Sequence, residues 1–221
     1  LSLWLTEHQM NIEFFDEFQR VNPTLPLKKA GNITCANATR VDWEAVCPKE
    51  QDDEIYVLGN PPYLGARMQS AKQKEDMHFV FSNMPNISNL DYIACWFFIG
   101  SKYIKNCNAI CSFVTTNSIN QGEQVSILWP SILRGGIEIG FAYKPFKWTN
   151  NAKSKASVIV SILGLRNSVN ASKYIYDSYI KNNVKYINHY LKPGNASYIY
   201  KRRRPLSKSL IPMCFGSMAN D

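Results

Sequence analysis

The sequence predicts an α/β fold whose sheet ends in an antiparallel hairpin. Short apolar runs at 55–58 and 109–115 alternate with a longer apolar segment at 92–104, and such alternation is typical of a sheet covered by helices. Two further predicted strands, 137–143 and the Val- and Ile-rich 156–165, follow each other with no helical segment between them. We therefore expect these last two strands to pair with each other as a hairpin.

The first part of the chain predicts a helix followed by two strands. Residues 1–19 carry apolar side chains at three- and four-residue steps, which indicates an amphipathic helix that ends before Pro23. A turn then precedes a short predicted strand at 33–35. The next strand, 55–58, follows an acidic connecting segment and stops at a glycine and two prolines.

The remaining elements follow from similar patterns. The polar residues 64–76 indicate a mobile loop or a short helix. Asp91 is placed to cap the buried helix at 92–104. A polar loop at 117–122 follows the central strand, and a helix at 125–133 contains a proline. From residue 167 on, Asn, Ser, Tyr and Lys dominate, so we divide the chain into domains 1–166 and 167–221.

Composition restricts the class of protein. The 221 residues include 45% hydrophobic and 19% charged residues, enough for a packed core. The formal net charge of +8 favours a polyanionic partner. The six cysteines show no CxxC pair, so we expect reduced core cysteines, no metal site and a cytoplasmic location. No apolar stretch is long enough for a membrane span. The chain lacks an initiator Met, and we expect it to be part of a longer polypeptide.

The tetrapeptide Asn60-Pro61-Pro62-Tyr63 is the clearest candidate site. Because two prolines fix φ and remove two backbone donors, this loop should hold one shape at the carboxyl end of its strand, where α/β sheets bind ligands. The Asn60 amide can accept hydrogen bonds, and the Tyr63 ring can stack on a planar group. An exocyclic amine on a flat heterocycle would use both side chains. The alternative is a structural proline turn.

The tetrapeptide and its surroundings resemble one enzyme family. The segments "LWLTEHQMN", "LGNPPYLGARMQS", "LDYIACWFFIGSKYI" and "CSFVTTNSINQGEQVSILWP" occur in this order, and later segments extend the likeness over nearly the whole chain. Together they resemble the large bacterial adenine-specific DNA methyltransferases of single-chain restriction–modification systems. The resemblance implies a Rossmann-like sheet that uses S-adenosylmethionine, with residues 1–166 as the C-terminal part of the catalytic domain.

The resemblance also implies roles for single residues. Asn60 and the Pro61 carbonyl would accept hydrogen bonds from the adenine N6 amine, and Tyr63 would stack on an adenine flipped out of double-stranded DNA. Trp148, with Phe146 as the alternative, would flank the base from its other side. Asn37 would meet the adenine ring of the cofactor, which Asn60 also borders. An Asx turn is the alternative for Asn37.

The same resemblance places the start of the DNA target-recognition region at 167–221. There Lys201, Arg202, Arg203 and Arg204 could contact phosphates, although a solvated surface is the alternative for such a run. The glycine-rich cofactor loop of the family and its acidic ribose ligand are not found in the sequence. We therefore expect the upstream part of the same polypeptide to complete the pocket, and the fragment by itself to be inactive.

Two structural expectations and two other functions remain open. Without the family's first strand, the strand at 55–58 would have an open edge, which could pair with a second copy of the chain or with the strand at 33–35. The same tetrapeptide also occurs in methyltransferases of protein glutamine or of RNA adenine, against which the basic, Tyr-rich tail argues. A non-catalytic DNA-binding fragment is the further alternative.

Overall fold

A computed structural model of the chain describes residues 2–19, 33–50, 53–82, 84–148 and 158–200, together with Ser207 and Ser209. The chain divides into two compact units, Leu1–Ala36 and Asn37–Asp221. In the first unit, helix α1 spans Ser2–Phe18, close to the predicted bounds. The strand predicted at 33–35 is wrong, since these residues lie in no strand. Three residues are at the short limit of strand length, and a strand is stabilised only by the ladder that it forms with a neighbour.

The second unit contains helices and strands in alternation. Its described helices are α2 Trp43–Val46, α3 Ala71–Phe81, α4 Ala94–Tyr103 and α5 Glu123–Leu133, with short 3₁₀ turns at Ala66–Met68, Ile87–Asn89 and Asn117–Asn120. Its described strands are β1 Ile55–Gly59, β2 Ala109–Thr116, β3 Ile137–Trp148, β4 Val158–Asn167, β5 Lys173–Asp177 and β6 Ile180–Val184.

The strands of the described chain form one mixed sheet in the order β1-β2-β4-β3-β5-β6. Strand β2 is parallel to β1 and antiparallel to β4, which in turn is antiparallel to β3. Strands β1, β2 and β3 therefore run in one direction, and their carboxyl ends lie at the same edge of the sheet. This mixed α/β sheet with its antiparallel β3–β4 hairpin confirms the predicted fold class.

The core lies between one face of the sheet and helices α4 and α5. Phe97 of α4 contacts both Phe113 of β2 and Trp129 of α5, with ring centroids 5.3 and 6.0 Å apart. Gly100 allows α4 to approach β2 closely, because a Cβ there would lie 3.1 Å from Cys111 Sγ. The sequence places large apolar side chains at helical spacing on α4, so this face was predictable as buried.

Of the mobile loop and the short helix expected after the tetrapeptide, helix α3 confirms the helix, which runs on to Phe81. Ser70 begins it with a capping box, in which Ser70 Oγ accepts from the Gln73 backbone N–H and the Gln73 side chain accepts from the Ser70 N–H. These two bonds satisfy donors that a helix start otherwise leaves open. The helix then turns Met77, Val80 and Phe81 into the core, so the polar appearance of this segment hid a buried face.

The sheet extends further than predicted at its hairpin. Strand β3 continues to Trp148, five residues beyond the expected end, and its pairing with β4 shifts register between Ile139 and Phe141 and between Tyr143 and Phe146. Past residue 166, strand β5 pairs in parallel with β3. Residues of the predicted second domain thus contribute strands to the same sheet. The assignment of 167–221 to target recognition stays a prediction.

Strand β1 forms one edge of the sheet. In the described chain it pairs only with β2. Its side chains alternate, with Tyr56 and Leu58 59% and 75% exposed while Ile55 and Val57 pack against the core. Within the described part of the chain the expected open edge of β1 is therefore present, and residues 33–35 lie in no strand.

The described residues also bear on cysteine chemistry and on membranes. Cys95 and Cys111 are free and buried in the core, and burial raises the pKa of each thiol to about 12. Across the described ranges, no helix combines the length and the apolar character that crossing a bilayer would require.

Candidate functional site

The tetrapeptide lies at the carboxyl end of β1, as predicted. Gly59, the last residue of β1, pairs with Phe113 of β2, and the prolines end the strand because they cannot donate to a ladder. Pro61 is buried, Tyr63 is half-buried and Asn60 is exposed. Among the described residues, nothing forms a hydrogen bond with the Asn60 amide. The loop thus presents an unused amide oxygen and amide nitrogen at the sheet edge.

The aromatic residues predicted to flank a base lie at this same edge. Trp148 is the last residue of β3 and is 41% exposed, and the Phe146 ring is centred 6.2 Å from it. Because side chains two apart on a strand share a face, both rings lie on one side of the hairpin. Strands β1 and β3 are three sheet positions apart, or about 14 Å at ordinary strand spacing, so a planar group could enter between Tyr63 and Trp148.

Asn37 forms hydrogen bonds within its own loop and with α3. Its Oδ1 accepts from the backbone N–H and the hydroxyl of Thr39, and its Nδ2 donates to Asp76 at 3.0 Å. The Asx turn, which was the alternative to cofactor binding, is therefore present. The side chain is exposed and Nδ2 carries a second N–H, so contact with a ligand is compatible with these bonds.

Asp76 is the buried centre of this hydrogen-bond network. Its carboxylate accepts from Arg40 Nε at 2.5 Å, from the Tyr92 hydroxyl at 2.7 Å and from Asn37. Burial by itself raises the pKa of Asp76, but these donors outweigh burial and the pKa is lowered overall. The network fixes the loop that carries Asn37 against α3 and against Tyr92.

The loop after β2, residues 117–122, lies at the same edge of the sheet as the tetrapeptide. Trp129 of α5 donates to the Ile119 carbonyl at 2.7 Å and holds this loop down. Asn117 donates to Gln121 at 3.2 Å. Asn120 is buried, and its amide has no hydrogen-bond partner within the described part of the chain. The sequence predicted only a polar loop here and did not distinguish Asn120, whose burial depends on tertiary packing.

A cleft of about 830 Å³ opens next to the tetrapeptide. Residues 65–69 form one wall, and residues of α3, residues 87–89, residue 118 and residues 121–124 form the others. Basic side chains on its lining are Arg67, Lys74 and His78. The cleft is large enough for a nucleotide-sized group, and its lining begins at Gly65, two residues after Tyr63.

Not every predicted site residue falls within the described ranges. Lys201, Arg202, Arg203 and Arg204 lie outside them. Among the residues that are described, no group of His, Cys, Asp or Glu is arranged to hold a metal ion. The structure brings Asn60, Tyr63, Phe146 and Trp148 to one sheet edge and joins Asn37 to it through Asp76 and Tyr92.

Known proteins resemble this chain along most of its length. Residues 1–177 match the family model described as MmeI, DNA-methyltransferase domain. A curated relative, DNA methyltransferase A of Bacillus subtilis (strain 168), is 49% identical over 225 residues, and the chain spans 25% of that relative. The solved structure of the type IIL restriction–modification enzyme MmeI in complex with DNA is 41% identical, with a TM-score of 0.80. That match covers 93% of this chain and 28% of the solved one.

Proposed function

Since the chain belongs to the MmeI DNA-methyltransferase domain family, we propose that it carries the catalytic edge of an enzyme that methylates adenine N6 in DNA. The chain spans about a quarter of the length of its curated relative, so the activity belongs to a longer polypeptide of the restriction–modification type. Such an enzyme would act in the bacterial cytoplasm, where its DNA substrate lies.

The free amide of Asn60 is the observation that carries this proposal. Asn60 is exposed without hydrogen-bond partners in the described chain, and the two prolines after it restrict the loop to one shape, so its amide is free to bind a ligand. Its Oδ1 and the Pro61 carbonyl would accept the two N–H groups of an adenine amine. These bonds direct the nitrogen lone pair away from the ring and towards the methyl donor.

The aromatic side chains would hold the adenine between them. Tyr63 would stack on one face of the flipped base, and Trp148 or Phe146 on the other. The duplex must release the base because its N6 atom is otherwise paired and out of reach. The position of both hairpin rings at the same sheet edge as Tyr63 supports this arrangement.

S-adenosylmethionine would supply an electrophilic methyl group at this edge. The residues present fit part of such a site: Asn60 borders it, and Asn37 retains one amide N–H that could reach a planar heterocycle. The exposed edge of β1 supports the view that another segment completes the pocket. A parallel strand pair is normally buried on both faces, whereas Tyr56 and Leu58 are exposed.

We propose that the upstream part of the same polypeptide covers this edge, and that an isolated fragment instead pairs it with a second copy. Sedimentation of the isolated chain should then reveal a dimer that Leu58→Lys disrupts. The full-length protein should not dimerise through this edge. A fragment that stays monomeric at high micromolar concentration would contradict the self-association.

The DNA-binding part of the proposal rests on charge. The net charge of +8 suits a polyanion, and Lys201 to Arg204 would contact phosphates. The logarithm of DNA affinity falls with the logarithm of salt concentration, and each lost phosphate contact makes this slope shallower by about 0.9. Replacing all four residues by Ala should therefore reduce the slope by about 3 to 4 if each contacts a phosphate. An unchanged slope would show that this run is a solvated surface.

The decisive experiment compares Asn60→Ala with the wild type in the full-length protein. The wild type should form N6-methyladenine in DNA, measured by mass spectrometry of hydrolysed nucleosides, and Asn60→Ala should lower the rate by at least about 100-fold. Asn170→Ala is the matched control, because Asn170 is also exposed but follows β4 at the opposite end of the strands. Methylation of protein glutamine or RNA instead of DNA, or DNA binding without methylation, would refute the proposal.

A further inference from the structure

The catalytic tetrapeptide is anchored at two points, one on each side. Before it, Gly59 belongs to the ladder between β1 and β2. After it, Leu64 is held through both its backbone groups: its N–H donates to Asp91 Oδ1 at 2.8 Å, and its carbonyl accepts from the Tyr92 N–H at 3.0 Å. No side-chain hydrogen bond holds the four intervening residues within the described chain. The position of Asn60 and Tyr63 therefore depends on the two anchors and on the stiffness of the prolines.

Gln69 provides a second hydrogen bond to the Leu64 carbonyl. Its Nε2 donates to the Leu64 carbonyl at 3.1 Å and to the Leu90 carbonyl at 2.9 Å. Gln69 is 8% exposed and Asp91 is 4% exposed, so the bonds from Gln69 Nε2 and to the Asp91 carboxylate are largely shielded from solvent. A buried amide that bridges two backbone carbonyls fixes the distance between the segments that carry them.

Asp91 also connects the anchor to the loop at the end of β2. Its Oδ1 accepts from the Ile93 N–H at 3.2 Å at the start of α4, and its Oδ2 accepts from the Ser118 hydroxyl at 3.2 Å. The Asp91 backbone N–H donates to the Gln124 side chain at 2.8 Å. One buried carboxylate therefore links Leu64, directly after the tetrapeptide, with the start of α4 and with the loop that follows β2.

We propose that Asp91 and Gln69 are positioning residues for methyl transfer. Resting on the proposed function, this inference assigns them to the orientation of Asn60 and Tyr63 through Leu64, not to contact with the base. Release of the Leu64 end would leave the loop attached only at Gly59. A misplacement of about 1 Å in a reacting group can lower a rate by about 100-fold, so the loss should fall on the chemical step and not on DNA affinity.

The test uses Asp91→Ala and Gln69→Met in the full-length protein, with single-turnover rates of N6-methyladenine formation. We expect Asp91→Ala to lower the rate by about 30- to 100-fold, on the scale of a 1 Å misplacement, and Gln69→Met to lower it by a smaller factor, with DNA affinity within threefold. Asp91→Asn should restore most of the rate, because Oδ1 still accepts from Leu64 while the new Nδ2 can donate to the Ser118 hydroxyl. Ser101→Ala, which removes a hydrogen bond from a buried α4 side chain to the Phe98 carbonyl but no bond of the anchor, should stay within threefold of the wild type.

Hydrogen exchange of the peptide that contains Leu64 gives a second readout. Its amide should exchange faster in Asp91→Ala while the core strands keep their protection. A normal single-turnover rate for the folded fraction of Asp91→Ala, an equal rate loss in Ser101→Ala, or no rescue by Asp91→Asn would overturn the inference. If Asp91→Ala does not fold, an undiminished rate in Gln69→Met does the same. Absence of N6-methyladenine with the wild type would refute the proposed function, and the exchange measurement would still test the anchor.

Discussion

Replacing Gly164 by Ala should destabilise the sheet by about 2 kcal/mol. Gly164 of β4 lies directly opposite Phe141 of β3. A Cβ on Gly164 would lie 2.1 Å from Phe141 Cε1 and 2.5 Å from Cδ1, whereas unbonded carbon atoms pack at about 3.5–4.0 Å. The ring must therefore move by about 1.5 Å. It has a neighbour on one side, since its centroid lies 6.5 Å from that of Tyr143, which stacks on Tyr176.

The magnitude follows from two contributions. Overpacking of a filled site costs about 1–3 kcal/mol, and an off-rotamer aromatic ring costs about 0.5–1.5 kcal/mol, part of which is included in the first figure. For a chain of this size, 2 kcal/mol lowers the melting temperature by about 4–8 °C. Thermal and urea unfolding measure the change, and Gly65→Ala is the control, because nothing lies within 4 Å of its added Cβ.

A double-mutant cycle identifies the cause. In a Phe141→Ala background the clash is absent, so Gly164→Ala should cost less than about 0.5 kcal/mol there. If Gly164→Ala leaves the melting temperature unchanged, or if its full penalty persists without the Phe141 ring, the reasoning from ring contact is wrong.

Three further predictions concern the buried ionisable groups. Asp76→Asn should lower the free energy of unfolding by about 2 kcal/mol at neutral pH. Because the pKa of Asp76 is lowered in the folded protein, this difference from the wild type should be complete above about pH 5 and vanish as the pH falls through that pKa. Urea titrations between pH 2.5 and 7 measure it. Glu138→Gln should lower the free energy of unfolding, measured by chemical denaturation, by about 3 kcal/mol. Glu138 contacts Lys173 Nζ at 3.1 Å, and that lysine is only 6% exposed. A decrease below about 0.5 kcal/mol would contradict this reasoning. Iodoacetamide at pH 8 should spare Cys95 and Cys111 in the native protein, since burial raises both thiol pKa values to about 12, and should label both in urea, as mass spectrometry of peptides can show.

Much of the fold could be predicted from the sequence because its signals are local. The strand at β1 ends where Gly59 meets two prolines, and the apolar run of α4 is too long for a strand. The α/β class and the β3–β4 hairpin were predictable on the same basis. By contrast, the length of β3 was underestimated. Its extension through Trp148 depends on pairing with β4 and on a register shift beside Pro145, which no local pattern specifies.

In the candidate site too, some features could be predicted from the sequence and others could not. The sequence placed Asn60 and Tyr63 at a strand end, because the preference of two prolines for one backbone shape needs no distant partner. It did not identify the roles of Gln69 and Asp76, which looked like members of a polar loop. Both lie within or beside α3, one face of which packs into the core, and their polar atoms form hydrogen bonds with other parts of the chain.

The sequence by itself therefore determined the shape and chemistry of the tetrapeptide, because those depend on proline geometry and on the groups that Asn60 and Tyr63 carry. Only the tertiary structure decided what holds that tetrapeptide in place. The bond from Leu64 to Asp91 joins residues 27 apart and the bond from Asn37 to Asp76 joins residues 39 apart. Such bonds form only once helices α3 and α4 pack beside the sheet, because a hydrogen bond depends on distance and angle in space and not on separation in sequence.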